Sequence, residues 1–126
     1  MANYFTFSNG VTVVNCTPHP VRFQDVNGEI VTIDSDPEYL INARVEEEIF
    51  EQYGITYTTP TFVGTPEGEQ IIKKIEWQFS EPPIIIGSII AAQAYPGRVC
   101  GMCPVPGHER VAPAEKLMRC DKFTRY

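Results

Sequence analysis

Two Asn-Gly dipeptides, Asn9-Gly10 and Asn27-Gly28, constrain this chain more than any other feature. Asn-Gly accepts positive φ at little cost, and between runs of β-branched and aromatic residues it signals a hairpin. Both dipeptides have that setting. Tyr4-Phe5-Thr6-Phe7 alternates before the first, and Val11-Thr12-Val13-Val14-Asn15-Cys16 follows it. Val21-Arg22-Phe23 and Ile30-Val31-Thr32-Ile33 flank the second. Between the hairpins, Thr17-Pro18-His19-Pro20 forms a rigid break, because each proline fixes its own φ and pushes its predecessor toward extended geometry. The first third therefore reads as an antiparallel meander with one buried face.

The remainder predicts a mixture. Residues 36–53 are ambiguous. Asp36-Pro37 resembles a cap and first helical position, and Ile41, Val45, Ile49 and Tyr53 recur every four residues. Glu46, Glu47 and Glu48 also suit a helix surface, so propensity favours a helix over a twisted strand. Residues 55–63 read as a strand with Pro60 at an edge or bulge, 64–68 as a turn, and 71–79 as another strand. Ile84-Ile85-Ile86 reads as a short buried strand. Ser88 then caps a short helix that Pro96-Gly97 stops. Residues 97–113 are rich in Gly and Pro and predict a loop, and Pro113 to Cys120 a final short helix. The expected fold is α+β, one domain over 1–126, without repeats. A chain of 126 residues is long enough to fold without a metal or disulfide.

Charge narrows the function classes. The net charge of −6 disfavours a general DNA or RNA binder. It is unevenly spread: residues 1–95 hold four basic against thirteen acidic side chains, residues 96–126 six against three. No apolar run approaches the roughly 20 residues of a membrane helix, and the N-terminus lacks the pattern of a signal peptide. The four cysteines are then expected to be free thiols.

Each chemical motif competes with a plainer reading. Cys100-x-x-Cys103 with His108 is half of a zinc site, which Cys120 or Cys16 could complete, but a second ligand pair is missing. Pro104 and Pro106 follow the pair in place of a helix, which disfavours a redox centre. Cys16 and His19 could form a nucleophile pair, but His19 reads better as a turn residue whose ring bonds backbone. No Walker, dinucleotide, HExxH or GxSxG motif is present. One constellation suits a nucleotide: Gln93, Tyr95 and Arg98 around the end of the short helix, with Arg110 after the loop, offer an amide, a ring and guanidinium groups. The competing reading packs Tyr95 in the core and solvates the arginines.

The segments VNCTPHPVRF (14–23), INARV (41–45) and IIIGSIIAAQAYPGR (84–98) occur in that order. Together they resemble small phage and prophage proteins with the pattern N-x-T-P-H-x-V, an ARV-like element, then I-V-S-x-x-V-A-x-A-x-x-x-R. Within that group the chain is similar to the phage anti-Thoeris sponge family, the first-described type. The resemblance implies a non-enzymatic protein without cofactor or metal, acting in the cytoplasm of an infected bacterium. It implies dimers or hexamers that sequester cyclic ADP-ribose signals, and in some members the cyclic oligonucleotides of CBASS defence. It places Gln93, Arg98 and Arg110 at ligand positions, and Arg44 of the ARV element beside them. It also implies strands within 36–53, against the helix that propensity favours, and leaves Cys100 and Cys103 as reduced thiols. The cysteine-containing loop ahead of Arg110 departs from the family pattern. Alternative functions are a small phage structural or protein-interaction protein without a small-molecule ligand, a small zinc protein, and a hydrolase.

Overall fold

The structure, a computed structural model, describes residues 2–126. It is α+β: among the described residues there are nine strands, two α-helices and two 3-10 turns. The two Asn-Gly sites build the same turn. At the first, Phe7 N–H donates to the Val11 carbonyl (2.8 Å) and Gly10 N–H to the Phe7 carbonyl (2.9 Å). At the second, Asp25 N–H donates to Glu29 (2.7 Å) and Gly28 N–H to Asp25 (2.9 Å). Gly10 and Gly28 sit at φ 86° and 91°, the left-handed region that glycine enters freely. These turns join β1 (Tyr4–Thr6) to β2 (Thr12–Asn15), and β3 (Val21–Gln24) to β4 (Ile30–Ile33).

The Thr17–Pro20 break sends the two hairpins into different sheets. β2 pairs antiparallel with β1 and parallel with β7 (Ile84–Ile86). The second sheet has the order β4-β3-β9-β8, with β8 at Gly101–Pro104 and β9 at Met118–Thr124. Strand alternation divides the core between the two faces of β2 and β7. Val14 and Ile85 pack with Ile72, Ile75, Ala91, Ala92 and Tyr95 of the helical layer. Val13 and Ile86 pack with Phe7, Phe23, Ile33 and Cys120 beside the second sheet. The body is thus helices, a three-stranded sheet and a four-stranded sheet in layers.

Four expectations are corrected. Over 36–53, Asp36 does cap a helical turn, accepting from Glu38 N–H, but the turn is 3-10 and ends at Tyr39. Arg44–Gln52 is strand β5, as the resemblance implied, because it pairs along its whole length with β6 (Ile55–Val63) through a Tyr53-Gly54 turn. Cross-strand pairing overrides the four-residue repeat. Residues 71–79 belong to α1 (Pro66–Gln78). Thr65 caps it, Pro66 occupies its first turn, and Gly68, Ile72 and Ile75 form a buried stripe at helical spacing. The loop at 97–113 contains β8, and the helix at 113–120 is a single 3-10 turn (Pro113–Glu115) before β9. β9 enters the sheet between β3 and β8, a long-range pairing with no local signal. The short helix α2 (Ile89–Ala94) forms as expected, with Ser88 Oγ accepting from Ala91 N–H at 3.1 Å. No helix among the described residues is long and apolar enough to cross a membrane.

Candidate functional site

The Asn-x-Thr-Pro-His stretch is a hydrogen-bonded knot. Asn15 is fully buried at the end of β2. Its Oδ1 accepts from Thr17 N–H (2.9 Å) and Thr17 Oγ1 (2.6 Å). Its Nδ2 donates to the carbonyls of His19 (2.9 Å), Ile33 (3.1 Å) and Asp34 (3.3 Å). Donors face one end of the amide and carbonyls the other, so its orientation is unambiguous. One side chain thereby ties β2, the Pro-bracketed turn and the end of β4. The His19 group that these bonds engage is its backbone carbonyl, which Thr17 Oγ1 also reaches (2.9 Å).

The knot holds one wall of a groove of about 630 Å³, within the size range of small-molecule sites. Each strand of the second sheet contributes to its lining: Thr32, Arg22, Met118 and Met102 from β4, β3, β9 and β8. Prolines 18, 20 and 113 add apolar surface, and His19 and Lys116 add polar groups. Among the described residues no Asp or Glu lines it. Arg22 Nη1 donates to the Ala114 carbonyl at 3.0 Å, which steadies the guanidinium beside the groove. The sequence singles out neither Arg22 nor Lys116, because the long-range insertion of β9 brings their segments together.

The five residues expected to hold a nucleotide stand apart from this groove. Tyr95 is 3% exposed, so its ring is taken up by the core. Its hydroxyl accepts from Thr65 N–H (2.7 Å) and donates to the Thr65 carbonyl (3.1 Å), locking the start of α1. A stacking role for Tyr95 is therefore corrected to a packing role in this chain. Arg98 donates to both carboxylate oxygens of Glu69 at 2.7 Å and to Glu76 at 3.4 Å. The Glu69 hydrogen bond leads in raising its pKa, and these acids occupy the groups an anion would need. Gln93 is exposed on α2. Arg44 is exposed at the root of β5 and paired with Glu46 at 2.8 Å. Arg110 lies exposed in the turn after β8. Of the five, Tyr95 and Arg98 meet the same helix, α1, at its first turn and along its acidic face.

The cysteines are free thiols. Cys100 bridges to Ile86 and Cys103 lies within β8, so extended backbone separates them by about 10 Å and turns them to opposite faces. That geometry does not chelate one ion, and no group of three or more His, Cys, Asp or Glu able to hold a metal occurs among the described residues. Burial pushes the Cys16 thiol up to about 12 and raises those of Cys100 and Cys120, the opposite of an activated nucleophile.

The second feature is an arm. Among the described residues β5 and β6 pair only with each other, over nine residues each, and nearly every residue along both is exposed. Tyr53 and Gly54 turn the chain at φ 52° and 74°. Positive φ at both central residues is the twist-matched geometry of a two-residue hairpin. Ile49, Phe50, Tyr53, Ile55 and Tyr57 cluster toward this end, exposed by 45% to 94%. Phe50 and Tyr57 stack at 5.3 Å. An isolated two-stranded hairpin is marginal in water, and a concentrated apolar surface marks an interaction site. No family model matches this chain, nor does any curated protein or solved structure.

Proposed function

We propose that the protein is a non-enzymatic binding protein that assembles with itself through the β5–β6 arm. The single observation that carries this reading is the hairpin of two nine-residue strands with exposed apolar side chains and no further partner strand among the described residues. This is the protein-interaction alternative, and it shares self-assembly with the sponge reading. Sedimentation across the micromolar to millimolar range tests it: a concentration-dependent mass above 14.2 kDa supports it, and a 14.2 kDa species throughout refutes it.

The second reading is the phage anti-defence sponge that the sequence resembles, holding a cyclic ADP-ribose isomer or a cyclic oligonucleotide without turnover. The groove favours it: about 630 Å³, apolar walls, Arg22 and Lys116, and no lining carboxylate to repel phosphate. Arg22, Lys116 and His19 replace the residues expected from sequence as the ligand contacts. The test is thermal unfolding against cyclic ADP-ribose isomers, cyclic di- and trinucleotides, ADP-ribose and NAD. Ligand binding to the native state raises stability by mass action. A rise with ligand recovered intact supports a sponge, altered ligand indicates an enzyme, and no rise with any compound removes the reading.

A further inference from the structure

We infer that the β5–β6 arm of one copy seats in the groove of a second copy, and that the exchange is reciprocal. The inference rests on the self-assembly reading and names the surface that meets the arm. Three observations converge.

The first is charge. From Arg44 to Val63 the arm carries Glu46, Glu47, Glu48 and Glu51 against Arg44 alone, and Arg44 is already paired with Glu46. The groove is lined by Arg22, Lys116 and His19 with no carboxylate. Neither Arg22 nor Lys116 is ion-paired among the described residues. Two arms laid against each other would oppose glutamates, whereas an arm in the groove opposes unlike charges.

The second is surface character. The arm register places Val45, Ile49, Pro60 and Phe62 on one face. Phe50, Tyr57 and Ile55 lie on the other. The groove offers proline, valine and methionine side chains against them. Rigid prolines and pliable methionines suit a peptide-like guest.

The third is size. Strands of nine residues give an arm about 30 Å long and about 10 Å wide. A groove of about 630 Å³ is smaller than the whole arm and receives its apolar end, where Ile49, Phe50, Tyr53, Ile55 and Tyr57 are exposed. Arm and groove lie on one chain, so a reciprocal exchange repeats the same contact about a two-fold axis and closes at a dimer, whereas a one-way contact would propagate to larger species. A groove filled by an arm has no room for a nucleotide, so the two occupants compete.

The test uses two charge-reversed full-length variants. One carries Glu47→Lys and Glu48→Lys on the arm; the other carries Arg22→Glu and Lys116→Glu in the groove. Alone, each opposes like charges at both contacts, and its dimer is expected to weaken at least tenfold by sedimentation. Mixed, the two restore unlike charges at both contacts, and a heterodimer of twice the 14.2 kDa chain mass is expected. Far-UV circular dichroism and melting of each variant establish that its body remains folded. If wild type self-associates and neither reversal weakens it, the groove is not the partner surface while self-assembly stands. If wild type stays monomeric, self-assembly itself fails. If folded variants weaken alone and do not recover on mixing, the arm–groove pairing is also overturned.

Discussion

Replacing Asn15 by alanine probes the deepest polar contact in the chain. The side chain is 0% exposed and makes contacts with Thr17, His19, Ile33 and Asp34. Alanine leaves Thr17 N–H without that acceptor and removes a donor from three carbonyls. Thr17 Oγ1 still reaches the His19 carbonyl at 2.9 Å, so one of the three keeps a partner. Stranding two or three buried polar groups at about 1–3 kcal/mol each gives a loss of roughly 3–5 kcal/mol. That is a large share of the roughly 5–15 kcal/mol a domain of this size holds. It corresponds to a fall in Tm on the order of 10–20 °C. Urea unfolding followed by far-UV circular dichroism measures it. Trp77 is 92% exposed and its fluorescence would report little. Asn15→Asp separates the two ends of the amide: it keeps the acceptor for Thr17 but puts a buried carboxylate against three carbonyls. It should destabilise at least as much at neutral pH and recover partly in acid. A loss below about 1 kcal/mol for Asn15→Ala would refute the knot as the anchor of the turn.

Other predictions concern Tyr95 and the cysteines. A Cβ on Gly68 would collide with the Tyr95 hydroxyl, so Gly68→Ala should cost about 2–4 kcal/mol despite alanine's better helix propensity. Tyr95→Phe leaves Thr65 N–H without its 2.7 Å acceptor and should cost about 1–3 kcal/mol, both read by denaturant titration. Folded Cys16 ionises at about 12 against 9.0 for the ordinary thiol, so the unfolded chain loses its proton first. Its contribution to stability is complete below pH 9 and falls by about 1.4 kcal/mol per pH unit between 9 and 12. Cys16→Ala should flatten that part of an alkaline unfolding curve. Cys103 is half-buried while the other cysteines are buried, so a thiol reagent at pH 8 should modify Cys103 first; faster reaction at Cys100 would contradict the strand geometry.

What was legible in the sequence had local causes. The Asn-Gly turns, the Pro-bracketed break and the Ser88 cap are set by residues within a few positions of each other, and all formed. The misread segments were decided at long range or by competing local signals. Arg44–Gln52 has helix-like spacing, but nine consecutive partners in β6 outweigh it. Residues 64–68 suggest a turn and 71–79 a strand, although Thr65-Pro66 and the Ile72/Ile75 spacing carry the signal of the helix Pro66–Gln78. The pairing of Arg98 follows from that helix, because Glu69 and Glu76 fall on one face only when the segment is helical. The nucleotide constellation failed to converge for the same reason: Tyr95 and Arg98 have partners on α1. The motif that carries the phage-protein resemblance proved visible as residues but not as a role, since Asn15 acts through backbone carbonyls that no motif names.

The β5–β6 arm is the surface on which the proposed self-assembly depends. Sedimentation equilibrium of wild type beside an Ile49→Lys, Phe50→Lys variant tests it most directly, since both side chains are more than half exposed and their replacement spares the core. Wild type should sediment with a mass of twice 14.2 kDa at high concentration, and the variant as a folded 14.2 kDa monomer. A wild type that stays at 14.2 kDa, or a variant that self-associates equally well, would contradict the arm as the surface through which this protein works.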